Sequence, residues 1–156
     1  METKADIRKE ALKLRSSFGE KERKAAEKKI AKRLLESSFY KEAESIYCYV
    51  SFRNEVDTAG IIEISLLLGK KVAVPRVSGQ KKMEFFFISS RNDLNPGAWS
   101  IPEPGLWCRQ APKPDENALV ILPGAAFDRA GRRIGYGGGH YVVDLGRNTG
   151  CRTGAL

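Results

Sequence analysis

Apolar and polar positions along the chain follow two periods, and the change from one to the other marks the elements. In the first segment Ile7, Ala11 and Leu14 recur at i, i+4 and i+7, which predicts a helix over 4–16. Thr3 stands before it with Asp6 three positions on, the spacing of a capping pair. Ala26, Ile30 and Leu34 draw a second apolar line among Lys and Glu, predicting a helix over 20–37, with Gly19 between the two. The period then shortens. SIYCYV, 45–50, is rich in β-formers and predicts a strand. SFRNEVDT follows as a loop whose Asp57 or Thr58 can cap a helix over 58–68. KKVAVPRV predicts a short buried strand over 71–74 ended by Pro75, and MEFFFIS another over 83–89. Strand, helix and strand at this length make a βαβ unit, which implies a parallel pair with a right-handed crossover. The proline-rich segment 91–117 reads as an ordered surface excursion, and ALVILP, 118–123, as a buried strand.

After a short loop comes GRRIGYGGGH, 131–140, with five glycines in ten residues and the chain's one histidine. Glycine loses more conformational freedom on folding than any other residue, so a cluster needs a reason. Flexible linkers are Gly/Ser-rich and lack aromatic anchors such as Tyr136 and Tyr141. Two readings stay open. One is a phosphate cradle of bare N–H groups beside Arg132 and Arg133; the other is a plain glycine turn. The stretch fits neither GxxxxGK followed by Ser or Thr, nor GxGxxG with a downstream acid. In open α/β sheets ligands gather beyond the carboxyl ends of strands, so Glu55 and the glycine loop, each following a strand, can face one crevice.

Composition narrows the classes. A hydrophobic content of 42% over 156 residues suits one globular domain, 1–156. A net charge of +8 favours anionic partners. In the N-terminal helices Lys and Arg are mixed with acids and lack interleaved aromatics, which suits a solvated face better than a nucleic-acid surface. Cys48, Cys108 and Cys151 are far apart, and one histidine completes no usual zinc set, so a disulfide framework or structural metal is not expected and a reducing cytoplasm is. No secretory leader and no membrane-spanning apolar run is visible. The expectation is a cytoplasmic monomer without membrane or nucleic-acid partner. No Ser-His-Asp or Cys-His set supports a nucleophilic hydrolase.

Five landmarks in order, KADIR, SFRNEVDT, VAVPRV, WSIPEP and ILPGAAFDRAGRRIGYGGGHY, resemble the 5-formyltetrahydrofolate cyclo-ligase family, also called 5,10-methenyltetrahydrofolate synthetases, over about residues 4–141. The resemblance implies an α/β fold: a three-layer, open, mainly parallel sheet with helices on both faces and an N-terminal helical pair. It implies ATP- and Mg2+-dependent closure of 5-formyltetrahydrofolate to 5,10-methenyltetrahydrofolate, through a phosphorylated formyl oxygen, with release of ADP and phosphate. The family's early Lys and Arg fall on Lys4 and Arg8, implied to meet ATP phosphates. Its ATP loop falls on Arg133, Ile134, Gly135, Tyr136, Gly137, Gly138, Gly139, His140 and Tyr141. Folate contacts fall on Val50 and Glu55, and are shared by Tyr136, Gly137, Gly138, Gly139 and His140. His140 occupies a position that is commonly aromatic, so stacking suits it better than acid–base work. Trp99 and Trp107 read as packing for the proline-rich excursion.

The pattern departs at Val142, where the family carries an aspartate that helps hold magnesium. Asp144 is the remaining candidate. A hydrocarbon side chain cannot ligate a cation that demands oxygen. The tail VVDLGRNTGCRTGAL matches no expected segment, so an altered or truncated C-terminus and an open sheet edge are expected. Two alternatives follow: a catalytically impaired member that binds only ATP or folate, and a basic nucleic-acid or phosphate-binding module.

Overall fold

The computed structural model describes residues 3–51, 55–77, 83–97, 101–124, 126–127, 133–134 and 152–155, the last three stretches as backbone. Helices α1 (Lys4–Ser16), α2 (Glu20–Glu36) and α3 (Ser38–Glu42) lead into β1 (Ser45–Cys48). Helix α4 (Ala59–Leu67) connects β1 to β2 (Lys71–Val77), and β3 (Met83–Ile88) returns beside it. A 3-10 turn, Arg91–Asp93, opens the excursion, whose β4 (Leu94–Pro96) and β5 (Pro102–Pro104) form a separate antiparallel pair. Then come β6 (Ala118–Leu122), β7 (Ala126–Phe127), β8 (Arg133–Ile134) and β9 (Arg152–Ala155).

The capping pair at α1 forms as read. Thr3 Oγ1 accepts from the Asp6 amide (3.1 Å) and Asp6 accepts from the Thr3 amide (3.0 Å). The backbone bond from Thr3 holds the Asp6 carboxyl below the usual range, with the Thr3 hydroxyl adding to it. The packed face of α1 is rotated from the expected one. Leu14 is 63% exposed, whereas Arg8, Leu12 and Arg15 are half-buried. Residues 7–8, 11–12 and 15 all lie near one another on the helical wheel, and the neighbouring chain decides which of them is covered. Helix α3 is not apparent from periodicity because it is only five residues long. It is nucleated by Ser37, whose hydroxyl accepts from the Tyr40 amide.

The main sheet has the order β3-β2-β1-β6-β9. β1 is parallel to β2 (Ile46 opposite Val72) and to β6 (Ile46 opposite Leu119), so the expected βαβ unit is present. β2 does not end at Pro75. It continues to Val77, paired antiparallel with β3 (Pro75 opposite Phe85). Its ladder with β1 stops at Ala73, so Pro75 lies where β2 is already an edge on that side, and a missing N–H is tolerated there. The open edge expected beside β6 is occupied by the tail, with Leu119 opposite Arg152 and Leu122 opposite Ala155. Backbone pairing needs no particular side chains, which is why motif reading missed it. At the other edge, Phe87 N–H donates to the Arg109 carbonyl and Ala111 N–H to the Phe85 carbonyl, both at 2.8 Å.

Strand alternation splits the core into two clusters. Ile46, Cys48, Val72, Val74, Ile88, Leu119 and Ile121 meet Tyr40, Ile61 and Ile62 from α3 and α4, with Leu34 and Leu35 of α2 behind them. Tyr47, Ala73, Phe85, Ala118 and Val120 face the other way and are covered by the extended segment at Ala111, where the Tyr47 hydroxyl donates to the Pro112 carbonyl (2.7 Å). The chain is therefore an α/β protein with a mixed, mostly parallel sheet. Among the described residues no helix is long and apolar enough to cross a membrane.

Candidate functional site at the carboxyl ends of the strands

The loop after β1 is held by a hydroxyl network that reading by motif did not identify. Thr58, wholly buried, has the backbone position of a helix cap, but its hydroxyl turns inward. It donates to the Tyr49 carbonyl (2.9 Å) and accepts from the Ser51 amide (3.1 Å). Ser51 Oγ accepts in return from the Thr58 amide (3.3 Å) and donates to Asp57 (3.2 Å). The capping bond to α4 comes from Asp57, which accepts from the Ala59 amide at 3.0 Å. The Tyr49 hydroxyl donates to the Val56 carbonyl (2.9 Å). Both ends of the loop are thus tied to each other and to β1, with half-buried Glu55 carried between them. Val50 packs against the larger core cluster at the base of the loop. The sequence signal was the pairing of Ser51 with Asp57 and Thr58 across one loop; nothing in it said that the hydroxyls face each other.

A second group assembles beyond β6. Helix α1 runs alongside β7, and Arg15 donates to the Gly124 carbonyl (3.3 Å) just past the end of β6. At about 100° per residue, Lys4 and Arg8 fall within about 40° of Arg15 on the helix circumference. Lys4 is exposed in the first turn and Arg8 is half-buried. β8 pairs antiparallel with β7, Ala126 opposite Ile134 and Phe127 opposite Arg133. The fold therefore brings the Lys4–Arg8 helix to the strand pair from which the glycine loop departs, although more than a hundred residues separate them in sequence. Val50 and Glu55 lie one strand over, after β1, at the same end of the parallel strands. Gly135, Tyr136, Gly137, Gly138, Gly139, His140, Tyr141, Val142 and Asp144 lie outside the described residues, as does Trp99. Trp107 packs within the excursion only in part: its ring lies against Gly105, where a Cβ would overlap it, and Nε1 donates to Asp93 (2.9 Å), but the residue stays 63% exposed.

The described cysteines are poor nucleophiles. Burial pushes the Cys48 thiol far up, and burial followed by the nearby Asp93 charge raises Cys108. Among the described residues no three His, Cys, Asp or Glu side chains converge on a metal position. The two positions at which a magnesium carboxylate was expected or remained a candidate, Val142 and Asp144, lie outside the described residues.

The chain is similar to known proteins in sequence and in fold. A 5,10-methenyltetrahydrofolate synthetase from Aquifex aeolicus matches the structure with a TM-score of 0.84 at 27% identity, covering 98% of this chain and 76% of that one. The mitochondrial 5-formyltetrahydrofolate cyclo-ligase of Arabidopsis thaliana is 36% identical over 135 residues, 76% of this chain and 48% of its own length. A probable 5-formyltetrahydrofolate cyclo-ligase of Schizosaccharomyces pombe is 30% identical over 115 residues, 72% and 56% respectively. The chain thus spans about half the length of these curated relatives. The profile of the 5-formyltetrahydrofolate cyclo-ligase family matches residues 1–153, past the last landmark and into β9. With the ordered landmarks, the mixed sheet and this match over nearly every residue in agreement, the chain belongs to the 5-formyltetrahydrofolate cyclo-ligase family.

Proposed function

We propose that this chain carries out the ATP-dependent cyclisation of 5-formyltetrahydrofolate to 5,10-methenyltetrahydrofolate. The observation that carries the reading is topological. The Glu55 loop follows β1 and the α1–β7–β8 corner follows β6, so both lie at the carboxyl ends of neighbouring parallel strands, where open α/β sheets bind their ligands. In this reading the corner takes the nucleotide: Lys4 and Arg8 neutralise phosphate charge, and Arg133 through Tyr141 wrap the phosphates with bare amides. Glu55 accepts hydrogen bonds from the N–H donors of the folate ring, and Val50 supplies an apolar floor. The formyl oxygen takes the terminal phosphoryl group of ATP, releasing ADP. N10 of the folate then attacks the same carbon, and the carbon–oxygen bond breaks as phosphate leaves. Such transfer needs positioning and charge neutralisation rather than a protein nucleophile, which agrees with the raised thiols of Cys48 and Cys108 among the described residues. Mg2+ belongs to the family reading, but with Val142 in place no step is assigned to a protein-held ion.

The test is a spectrophotometric assay of methenyltetrahydrofolate formation, with and without ATP and Mg2+. Product that requires ATP supports the reading. Folate or ATP binding without product would instead support an impaired binder, the reading that Val142 favours. Folded protein that neither binds nor turns over would overturn both.

A further inference from the structure

We infer that Arg76 and Glu103 form a two-way latch that positions the β4–β5 hairpin at the carboxyl end of the sheet and thereby sets affinity for the folate substrate; this rests on the function proposed above. Arg76 lies near the end of β2, past its ladder with β1. Its guanidinium lies over the Phe86 ring, 4.0 Å from the centroid, and one nitrogen donates to the carbonyls of Pro104 (2.8 Å) and Gly105 (2.9 Å). Glu103 answers in the opposite direction: its carboxylate accepts from the amide of Val77, the last residue of β2 (3.1 Å). Strand and hairpin thus exchange hydrogen bonds through one side chain from each.

Gly97 makes room for this. A Cβ there would overlap the Glu103 carboxylate, and the Gly97 amide donates to the Ile101 carbonyl (3.0 Å) to close the hairpin. The placement has a direction. β1 and β2 are parallel neighbours, so Val77 and the Glu55 loop emerge at the same end of adjacent strands. The α1–β7–β8 corner lies on the far side of β1, beyond β6. A shift of the hairpin therefore reaches the folate side and leaves the nucleotide side unchanged. Arg76 and Glu103 are positioning residues, not groups that touch reacting atoms.

The test compares the wild type with Arg76→Met, Glu103→Ala, Glu103→Gln and Gly97→Ala, by calorimetric titration with 5-formyltetrahydrofolate and by steady-state kinetics. Arg76→Met and Glu103→Ala should each weaken folate binding and raise its KM about tenfold, the double variant doing little more, because either change opens the same latch. The KM for ATP should stay within about twofold. Glu103→Gln, whose amide oxygen still accepts from Val77, should recover most of the affinity. Gly97→Ala should reproduce the Glu103→Ala defect, leaving every latch side chain present. Equal folate affinity in all variants, or equal losses toward folate and ATP, would overturn the latch while the function stands. A wild type that neither binds folate nor turns it over would overturn the folate reading and the latch with it.

Discussion

Replacing Thr58 by Val keeps the shape of the side chain and removes the hydroxyl on which the Glu55 loop depends. Two hydrogen bonds are lost: the donation to the Tyr49 carbonyl at 2.9 Å and the acceptance from the Ser51 amide at 3.1 Å. Tyr49 is 3% exposed and its carbonyl keeps only the weak sulfur donor Cys48 Sγ at 3.3 Å, so losing the stronger Thr58 donation costs about 1–2 kcal/mol. Ser51 is only half-buried, and water can reach its amide, so that loss stays near the usual net value of about 1 kcal/mol. The extra methyl recovers about 0.8 kcal/mol in a site with no exposure. The net expectation is a loss of about 2 kcal/mol, which for a chain of this size lowers the melting temperature by about 4–8 °C. Thr58→Ser retains both bonds and gives up one methyl group, for about 1 kcal/mol. Thermal and urea unfolding followed by circular dichroism measure both. The folate KM, measured below the transition, should rise in Thr58→Val and stay near wild type in Thr58→Ser. A Thr58→Val melting temperature within a degree of wild type would refute the reasoning, as would Thr58→Ser losing as much as Thr58→Val.

Further predictions concern the nucleotide side, the metal and pH. Gly137→Val should abolish ATP-dependent turnover while far-UV circular dichroism stays largely intact; unchanged turnover would remove the glycine loop from the site. Arg15→Met, which frees the Gly124 carbonyl from α1, should raise the KM for ATP more than that for folate, and a reversed order would contradict the docking of α1 as a nucleotide wall. Val142→Asp should lower the Mg2+ concentration needed for half-maximal activity, an effect that a magnesium titration of both proteins detects. The Asp93 carboxyl is held below its ordinary range by the amide of Ser89, then by Trp107 Nε1 and the amide of Ser90. Its folded value is depressed, so its contribution to stability is present above the ordinary carboxylate value, about 4, and is lost as pH falls through the lowered one. Urea midpoints between pH 6 and pH 3 should therefore fall more in the wild type than in Asp93→Ala, and equal falls would show that the contacts do not matter.

Local patterning by itself determined most of the element list. The capping box at Thr3 and Asp6, the two N-terminal helices, the βαβ unit and the buried ALVIL strand follow from periodicity and end signals, which act between residues close in the chain. The ordered landmarks placed the protein in its family, and proposed Lys4, Arg8, Val50, Glu55 and Arg133 through Tyr141 as its working residues. Other outcomes belonged to tertiary structure because they depend on which surface arrives from elsewhere. The face of α1 that packs carries Arg8 and Arg15 rather than Leu14, since the strand segments beyond β6 supply the partner. Pro75 sits inside β2 because the neighbouring ladder stops two residues earlier. Thr58 caps nothing with its hydroxyl because the nearby Tyr49 carbonyl and Ser51 amide claim it. The tail adds a strand beside β6 through backbone groups that every sequence possesses. Arg76 and Glu103 meet across a fold that no local pattern encodes. A hydrogen bond between distant residues is specified only when packing has brought its donor and acceptor within reach.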